Sequence, residues 1–173
     1  MTPSPSTGDS QDVRSEDVAS DTRTFMLGFN EPIRAVVLGA RGGIGGAFTR
    51  RILDDSPLHR VWACSRDHAW ISQPASDAET RVRLDITSGA DWDHFATQLR
   101  DDGPINCVIN ASGLLHSAVV DPERSWRALS EESMRAVFEV NTFGVGLAIR
   151  HLAPLFSRKH RGLFASLSAR VGS

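Results

Sequence analysis

From residue 33 onward, short runs of β-branched and apolar residues alternate with stretches of helical period, and this alternation constrains the fold more than any other feature. The apolar runs are residues 33–38 (IRAVVL), 60–64 (RVWAC), 81–84 (RVRL), 105–109 (INCVI) and 163–167 (LFASL). Helical stretches long enough to serve as crossovers lie between them, so the strands are expected to pair in parallel. The first helix starts near Ile44 and carries Ile44, Ala47, Phe48 and Ile52 on one face. The next places Trp92, Phe95, Ala96 and Leu99 at i, i+3, i+4 and i+7, which marks a core face. The longest is capped by Ser130, has Glu131 and Glu132 in its first turn, and runs to about Phe156. Its apolar positions are Met134, Val137, Phe138, Val145, Ala148, Ile149 and Leu152. A polar loop through Pro74 leads from the second strand to the third.

Ahead of these elements, residues 1–30 are expected to form a disordered tail, with a single packed domain over 31–173. The first 24 residues are dominated by Ser, Thr, Asp and Pro, with too few large apolar side chains to offset the entropy of ordering. The acids of this segment outnumber Arg14 and Arg23, which argues against a mitochondrial transit peptide. The whole chain, 173 residues with a net charge of −2, has the profile of one soluble domain. Nineteen Lys and Arg against 21 Asp and Glu leave no basic excess for a nucleic acid partner. No apolar run is long enough to span a bilayer and no secretory signal opens the chain, so a cytoplasmic protein without a membrane partner is expected. Cys64 and Cys107, the only cysteines, each lie inside a strand-like run and read as small buried hydrophobes, and no metal site is expected.

The chemistry starts in the segment VVLGARGGIGGAF, where Gly39, Gly43 and Gly45 separate the first strand from the first helix. Backbone N–H groups and the helix dipole at such a turn can hold a pyrophosphate, provided that no Cβ blocks the approach. The spacing is G-x-x-x-G-x-G, not the general G-x-G-x-x-G, and a tight turn without a ligand is the plainer alternative. About 20 residues on, where dinucleotide sites of this type read the adenosine ribose, the chain has Ser65 and Arg66. Arg66, with Arg41 from the glycine loop, offers charge-assisted bonds to a 2′-phosphate and favours NADP over NAD. The alternative leaves Arg66 in solvent and gives the ribose of NAD to Asp67.

Four segments in order resemble the short-chain dehydrogenase/reductase family, NAD(P)(H)-dependent oxidoreductases on a Rossmann-like fold. GARGGIG is similar to the family's TGxxxGIG loop, with Leu38 in place of Thr, and carries Ile44 as well as the glycines. LDIT resembles the motif after strand three, which implies Asp85 near the adenine amino group and Ile86 beside the ring. NASG resembles NNAG after strand four, and brings Asn110, Ala111 and Gly113 to the cofactor. VNTFG places Asn141 where the family has the helix Asn that supports a proton-relay water. The closing LSARVGS is most similar to C-factor-like proteins and sniffer-type carbonyl reductases. The resemblance covers residues 33–173 and implies a three-layer α/β/α sandwich with a parallel sheet in the order 3-2-1-4-5.

The family's catalytic set is incomplete here. A Ser after strand five and a Y-x-x-x-K pair in the next helix would orient the substrate carbonyl and protonate its oxygen. The chain has no Tyr, and its only Lys, Lys159, precedes strand five. Aligning Gly172 with S-x-x-G puts Ala169 at the Ser position and leaves Ser168 one residue early. Asn141 and Ser168 are therefore the catalytic candidates, against plainer roles as a helix Asn bonded to nearby backbone and a strand-end hydroxyl. The expectation is an NADP(H)-preferring oxidoreductase acting on a small carbonyl or alcohol, in a truncated form that keeps the cofactor half and lacks the family's last helices and strands. A homo-oligomer is expected only with the missing helix. The rivals are a non-catalytic NADP-binding module acting through protein contacts, and a non-functional remnant.

Overall fold

The computed structural model describes residues 26–115 and 125–168. Its strands are β1 (Arg34–Leu38), β2 (Arg60–Ser65), β3 (Glu79–Arg83), β4 (Cys107–Asn110) and β5 (Leu163–Ser166). They form one sheet in the order β3-β2-β1-β4-β5, with every neighbouring pair parallel, as the alternating pattern requires. The helices are α1 (Gly43–Asp55), α2 (His68–Ile71), α3 (Gly89–Asp102), α4 (Glu131–Phe138) and α5 (Gly144–Leu152).

Side chains on a strand alternate between the two faces of the sheet, and both faces are covered here. Ala35 and Val37 of β1, Val61 and Ala63 of β2, and Cys107 and Ile109 of β4 pack with Ile52 of α1. Val36, Leu38, Trp62, Cys64 and Val108 point the other way, onto Trp92, Phe95 and Leu99 of α3 and Ala148 and Leu152 of α5. The predicted α3 stripe is buried along its whole length. Ser88 caps that helix by accepting from the Asp91 amide at 3.2 Å, and the Trp92 indole N–H donates to the Ile86 carbonyl at 2.9 Å. Buried polar side chains are partnered in the same way: His59 Nδ1 accepts from the Ile33 amide at 3.0 Å, and Asn106 Oδ1 from the Arg34 amide at 2.8 Å.

Several expectations need correction. Packing begins before residue 31: Met26–Gly28 form a 3₁₀ turn, and Phe29 fills the α1-side core at 1% exposure. The disorder expected of residues 1–25 lies outside the described residues. The stretch read as a polar loop through Pro74 contains α2, a single turn capped by Asp67 and too short to show a period. Ile105 makes only an isolated bridge to Phe156, so β4 starts at Cys107. The long helix is not uniform. Glu139–Phe143 between α4 and α5 is π-helical, and Ala153–Leu155 finishes the run as a 3₁₀ turn around Pro154. Of its seven apolar positions, Ala148 and Leu152 are buried, whereas Met134, Phe138 and Ile149 are exposed.

Candidate nucleotide site

In this strand order the chain leaves β1 toward one edge and returns beyond it at β4, so a crevice opens at the carboxyl ends of those two strands. The Gly39 turn and the Ala111–Ser112 backbone meet there. Gly39 has φ +75°, a conformation that favours glycine, and a Cβ on it would stand 2.9 Å from the Ala111 carbonyl oxygen. A Cβ on Gly45 would come to 2.3 Å from the Gly39 oxygen, so both glycines are needed to fold the turn against the first turn of α1. Gly43 differs, since a Cβ on it would meet no protein atom within 4 Å. Packing therefore does not demand glycine at 43, whereas close approach of a ligand would. The N-cap of α1 is Gly42, no side chain caps the helix, and no acid stands in its first turn. The amides of that turn are left as donors for an anion, which fits a nucleotide pyrophosphate.

The crevice has a volume of about 410 Å³, within the range of small-molecule sites. Its walls come from all four loops that follow β1 to β4: Gly39 and Arg41; Ser65, Arg66 and Asp67; Ile86; and Ala111, Ser112 and Gly113. Val140 of the π-helical segment closes one side. Of the residues singled out from the sequence, Gly39, Arg41, Arg66, Ile86, Ala111 and Gly113 share this wall. Gly43, Ile44, Gly45, Asp85 and Asn110 do not line it. Ile44 is exposed on the first turn of α1. Asn110 is buried, donating to Ser166 Oγ and accepting from the Ser112 amide, each at 3.0 Å, which ties the loop after β4 to β5.

The charged groups at the β2 and β3 ends come in pairs. Arg41 Nε meets Asp67 Oδ2 at 2.9 Å, and Arg66 lies 3.9 Å from Asp85 Oδ2. Each carboxylate is anchored by its other oxygen: Asp67 Oδ1 accepts from the Trp70 amide at 2.9 Å, and Asp85 Oδ1 from the amide and hydroxyl of Thr87 at 3.0 and 2.8 Å. Behind them, Asp91 accepts from the Asp85 amide at 2.9 Å, and this bond is the largest cause holding its carboxyl below the ordinary carboxylate range. Cys64 also touches the crevice, but burial pushes its thiol far up, and that of Cys107 to about 12, so neither is a reactive thiolate.

Asn141 lies in the π-helical segment, a kind of distortion that recurs at functional sites. Its Oδ1 accepts from the Leu114 amide and its Nδ2 donates to the Leu114 carbonyl, both at 2.8 Å. That two-way bond fixes the end of the loop carrying Ala111–Gly113. Ser168 is exposed, two residues beyond the end of β5. Ala169 lies outside the described residues, and Lys159 is exposed in the turn ahead of β5. Among the described residues, no group of three or more His, Cys, Asp or Glu stands close enough to hold a metal ion, and no helix is long and apolar enough to cross a membrane.

Ser65 and Asp67 are the wall residues that a motif reading passes over or leaves as alternatives. Their signal is position, immediately after the second strand. Val140 had no signal, because its approach depends on the local π geometry.

No curated protein matches the chain. Among solved structures, a short chain dehydrogenase from Burkholderia cenocepacia in complex with NADP is 27% identical, with a TM-score of 0.59 over 72% of this chain and 48% of that one. A 3-ketoacyl-(acyl-carrier-protein) reductase from Brucella melitensis complexed with NADH is also 27% identical, with a TM-score of 0.62 over 73% and 51%. A short-chain dehydrogenase from Streptomyces avermitilis, 22% identical, shares the fold with a TM-score of 0.66 over 80% and 50%. The chain thus spans about half the length of the solved structures it matches. The profile of the short chain dehydrogenase family matches residues 34–173, from the start of β1 through the glycine turn, the β2-end arginine and the Asn141 segment. The chain belongs to the short chain dehydrogenase family.

Proposed function

We propose that this chain forms the cofactor site of an NADP(H)-preferring oxidoreductase that interconverts a carbonyl and an alcohol, working in the cytoplasm. The observation that carries this reading is the uncapped N-terminus of α1, set behind the Gly39 turn and beside two arginines, Arg41 of the glycine loop and Arg66 at the end of β2. The amides of the first turn of α1, at Gly43, Ile44 and Gly45, would hold the pyrophosphate. Arg41 and Arg66 would hold the ribose 2′-phosphate, which a planar guanidinium suits. Ile86 would lie against the adenine, with Asp85 toward its amino group. Ala111 and Gly113 would border the chain of the dinucleotide, with Asn110 and Asn141 keeping their loop in place. When bound, the nicotinamide supplies or accepts the hydride. Ser168 is the candidate hydroxyl for the substrate oxygen. The similar Burkholderia and Brucella proteins, solved with NADP and NADH, support a nicotinamide dinucleotide as the ligand.

A second reading keeps the same site and differs in what the bound cofactor does. The chain has no Tyr, and Lys159 stands in the turn before β5, so no residue of these 173 is assigned as the proton donor. A site that binds NADP and acts through protein contacts would look the same. The test is NADPH binding, read by energy transfer from tryptophan to the nicotinamide, together with NADPH consumption across a panel of small aldehydes and ketones. Saturable binding with carbonyl-dependent consumption supports the oxidoreductase. Binding without consumption supports the second reading, and absence of binding rejects both.

A further inference from the structure

We propose that Asp91 is a positioning residue of the nucleotide site: its carboxylate fixes both ends of the loop between β3 and α3, and so sets how well the crevice reads the base of a dinucleotide. This rests on the reading of the crevice as a nucleotide site, and extends it to a side chain that does not line the crevice.

The loop runs over residues 84–88 and brings Leu84 and Ile86 to the crevice wall. Its start leaves a backbone donor to be satisfied. Successive strand amides point to opposite sides, and the Leu84 amide makes the last bond to β2, donating to the Ser65 carbonyl at 3.0 Å. The Asp85 amide therefore points away from β2, on the side where β3 ends the sheet among the described residues. Asp91 supplies the acceptor, its Oδ2 taking the Asp85 amide at 2.9 Å. At the other end of the loop its Oδ1 takes the Ser88 hydroxyl at 3.1 Å. The cap of α3 is a separate contact, from the Asp91 amide to Ser88 Oγ, and does not depend on the Asp91 side chain.

An ionised carboxylate fits this place because it only accepts, and both of its partners donate. An amide or a protonated acid keeps one of the two acceptors. Arg83 Nη1 at 3.6 Å and the first-turn position on α3 both favour the charged form. The middle of the loop is held independently, since the Trp92 indole N–H donates to the Ile86 carbonyl at 2.9 Å. Removing the Asp91 carboxylate therefore leaves Ile86 anchored and Trp92 in the core, and frees Asp85. The loss should fall on what Asp85 does toward the base, not on the fold. An amino group on the base can donate to the Asp85 carboxylate, whereas a carbonyl in its place gains nothing from it.

The experiment is calorimetric titration of the full chain, of Asp91→Asn and of Asp91→Ala with NADH and with reduced nicotinamide hypoxanthine dinucleotide, which has a carbonyl where adenine has its amino group. The original chain should prefer NADH about 10-fold. In Asp91→Ala, which loses both ties, NADH should bind about 10-fold more weakly and the hypoxanthine dinucleotide within about 2-fold of the original, so that the preference disappears. In Asp91→Asn, which keeps the tie to the Asp85 amide, the preference should fall to about 3-fold. If Asp91→Ala fails to fold, the Asn variant decides. Equal weakening of both dinucleotides, with the preference intact, would overturn the proposal and make Asp91 a support of the fold alone. Unaltered binding in the variants would overturn it too. If the original chain binds the two dinucleotides equally well, the proposal falls and the oxidoreductase reading stands. If neither dinucleotide binds, both fall.

Discussion

Helix α3 and the α4–α5 run carry the same kind of apolar pattern on the same face of the sheet, and they end in different situations. Trp92, Phe95, Ala96 and Leu99 of α3 are all within 1% of complete burial. On the other run, Ala148 and Leu152 are buried, but Phe138, Ile149 and Met134 are 56%, 48% and 41% exposed, and Phe143 in the π-helical segment is 64% exposed. The strands beneath follow the same division. Four of the five residues of β1 are buried, and none of the four residues of β5 is. An apolar stripe tells that a face avoids water but not how wide a part of it the rest of the chain will cover. The nucleotide crevice lies on the well-covered side, where the turns after β1, β2 and β4 are fixed by packed strands.

The largest effect that separates the two regions comes from truncating their big side chains. Trp92→Ala should cost about 3–5 kcal/mol, since it leaves a cavity and removes the indole bond to Ile86. Phe138→Ser, on the exposed run, should stay within about 0.5 kcal/mol. Denaturant unfolding of both variants checks the contrast, and equal losses would break it.

The glycine turn comes next. Gly45→Ala forces a Cβ to within 2.3 Å of the Gly39 carbonyl oxygen, and should cost about 1–3 kcal/mol together with nucleotide binding. Gly43→Ala meets open space, so its thermal midpoint should hold while NADPH binding weakens at least about 10-fold. A Gly43 variant that binds normally would mean that the first turn of α1 does not approach the ligand.

The smallest effect is electrostatic and belongs to the loop behind Asp85. Hydrogen bonds hold the Asp91 pKa below the ordinary carboxylate value, so its stabilising contribution is complete above that value and is lost as pH falls through the lowered one. In Asp91→Asn that acid-side loss should be smaller than in the original chain. Thermal midpoints measured from neutral to strongly acidic pH would show it, and identical slopes would contradict the assignment.

Much of this arrangement is legible in the sequence because it follows from periodicity. The parallel sheet, the α3 stripe, the Ser130 cap and the glycine turn each have local signals of residue type and spacing. The π-helical Glu139–Phe143 has none, because it depends on how the run meets its neighbours: a Cβ on Gly144 would stand 2.9 Å from Ile86, and Asn141 reaches across to Leu114. The site divides in the same way. Gly39, Arg41 and Arg66 could be placed on one wall from strand ends, and Ile86 through the resemblance of LDIT to the family motif. That Asp67 is spent on Arg41 and on the cap of α2, and that Asn110 serves Ser166 and Ser112, are consequences of side chains meeting across loops, which no spacing encodes.

The central claim is that a formed NADP site rests on the well-packed side of this fold, and thermal unfolding of the 173-residue chain with and without NADPH and NADH tests it most directly. A ligand bound only by the folded state raises its stability, by about 2.7 kcal/mol at roughly 100 times Kd. The account predicts one cooperative transition that moves upward with both nucleotides and further with NADPH. A cooperative transition that neither nucleotide moves, or one that NADH moves further, would contradict it.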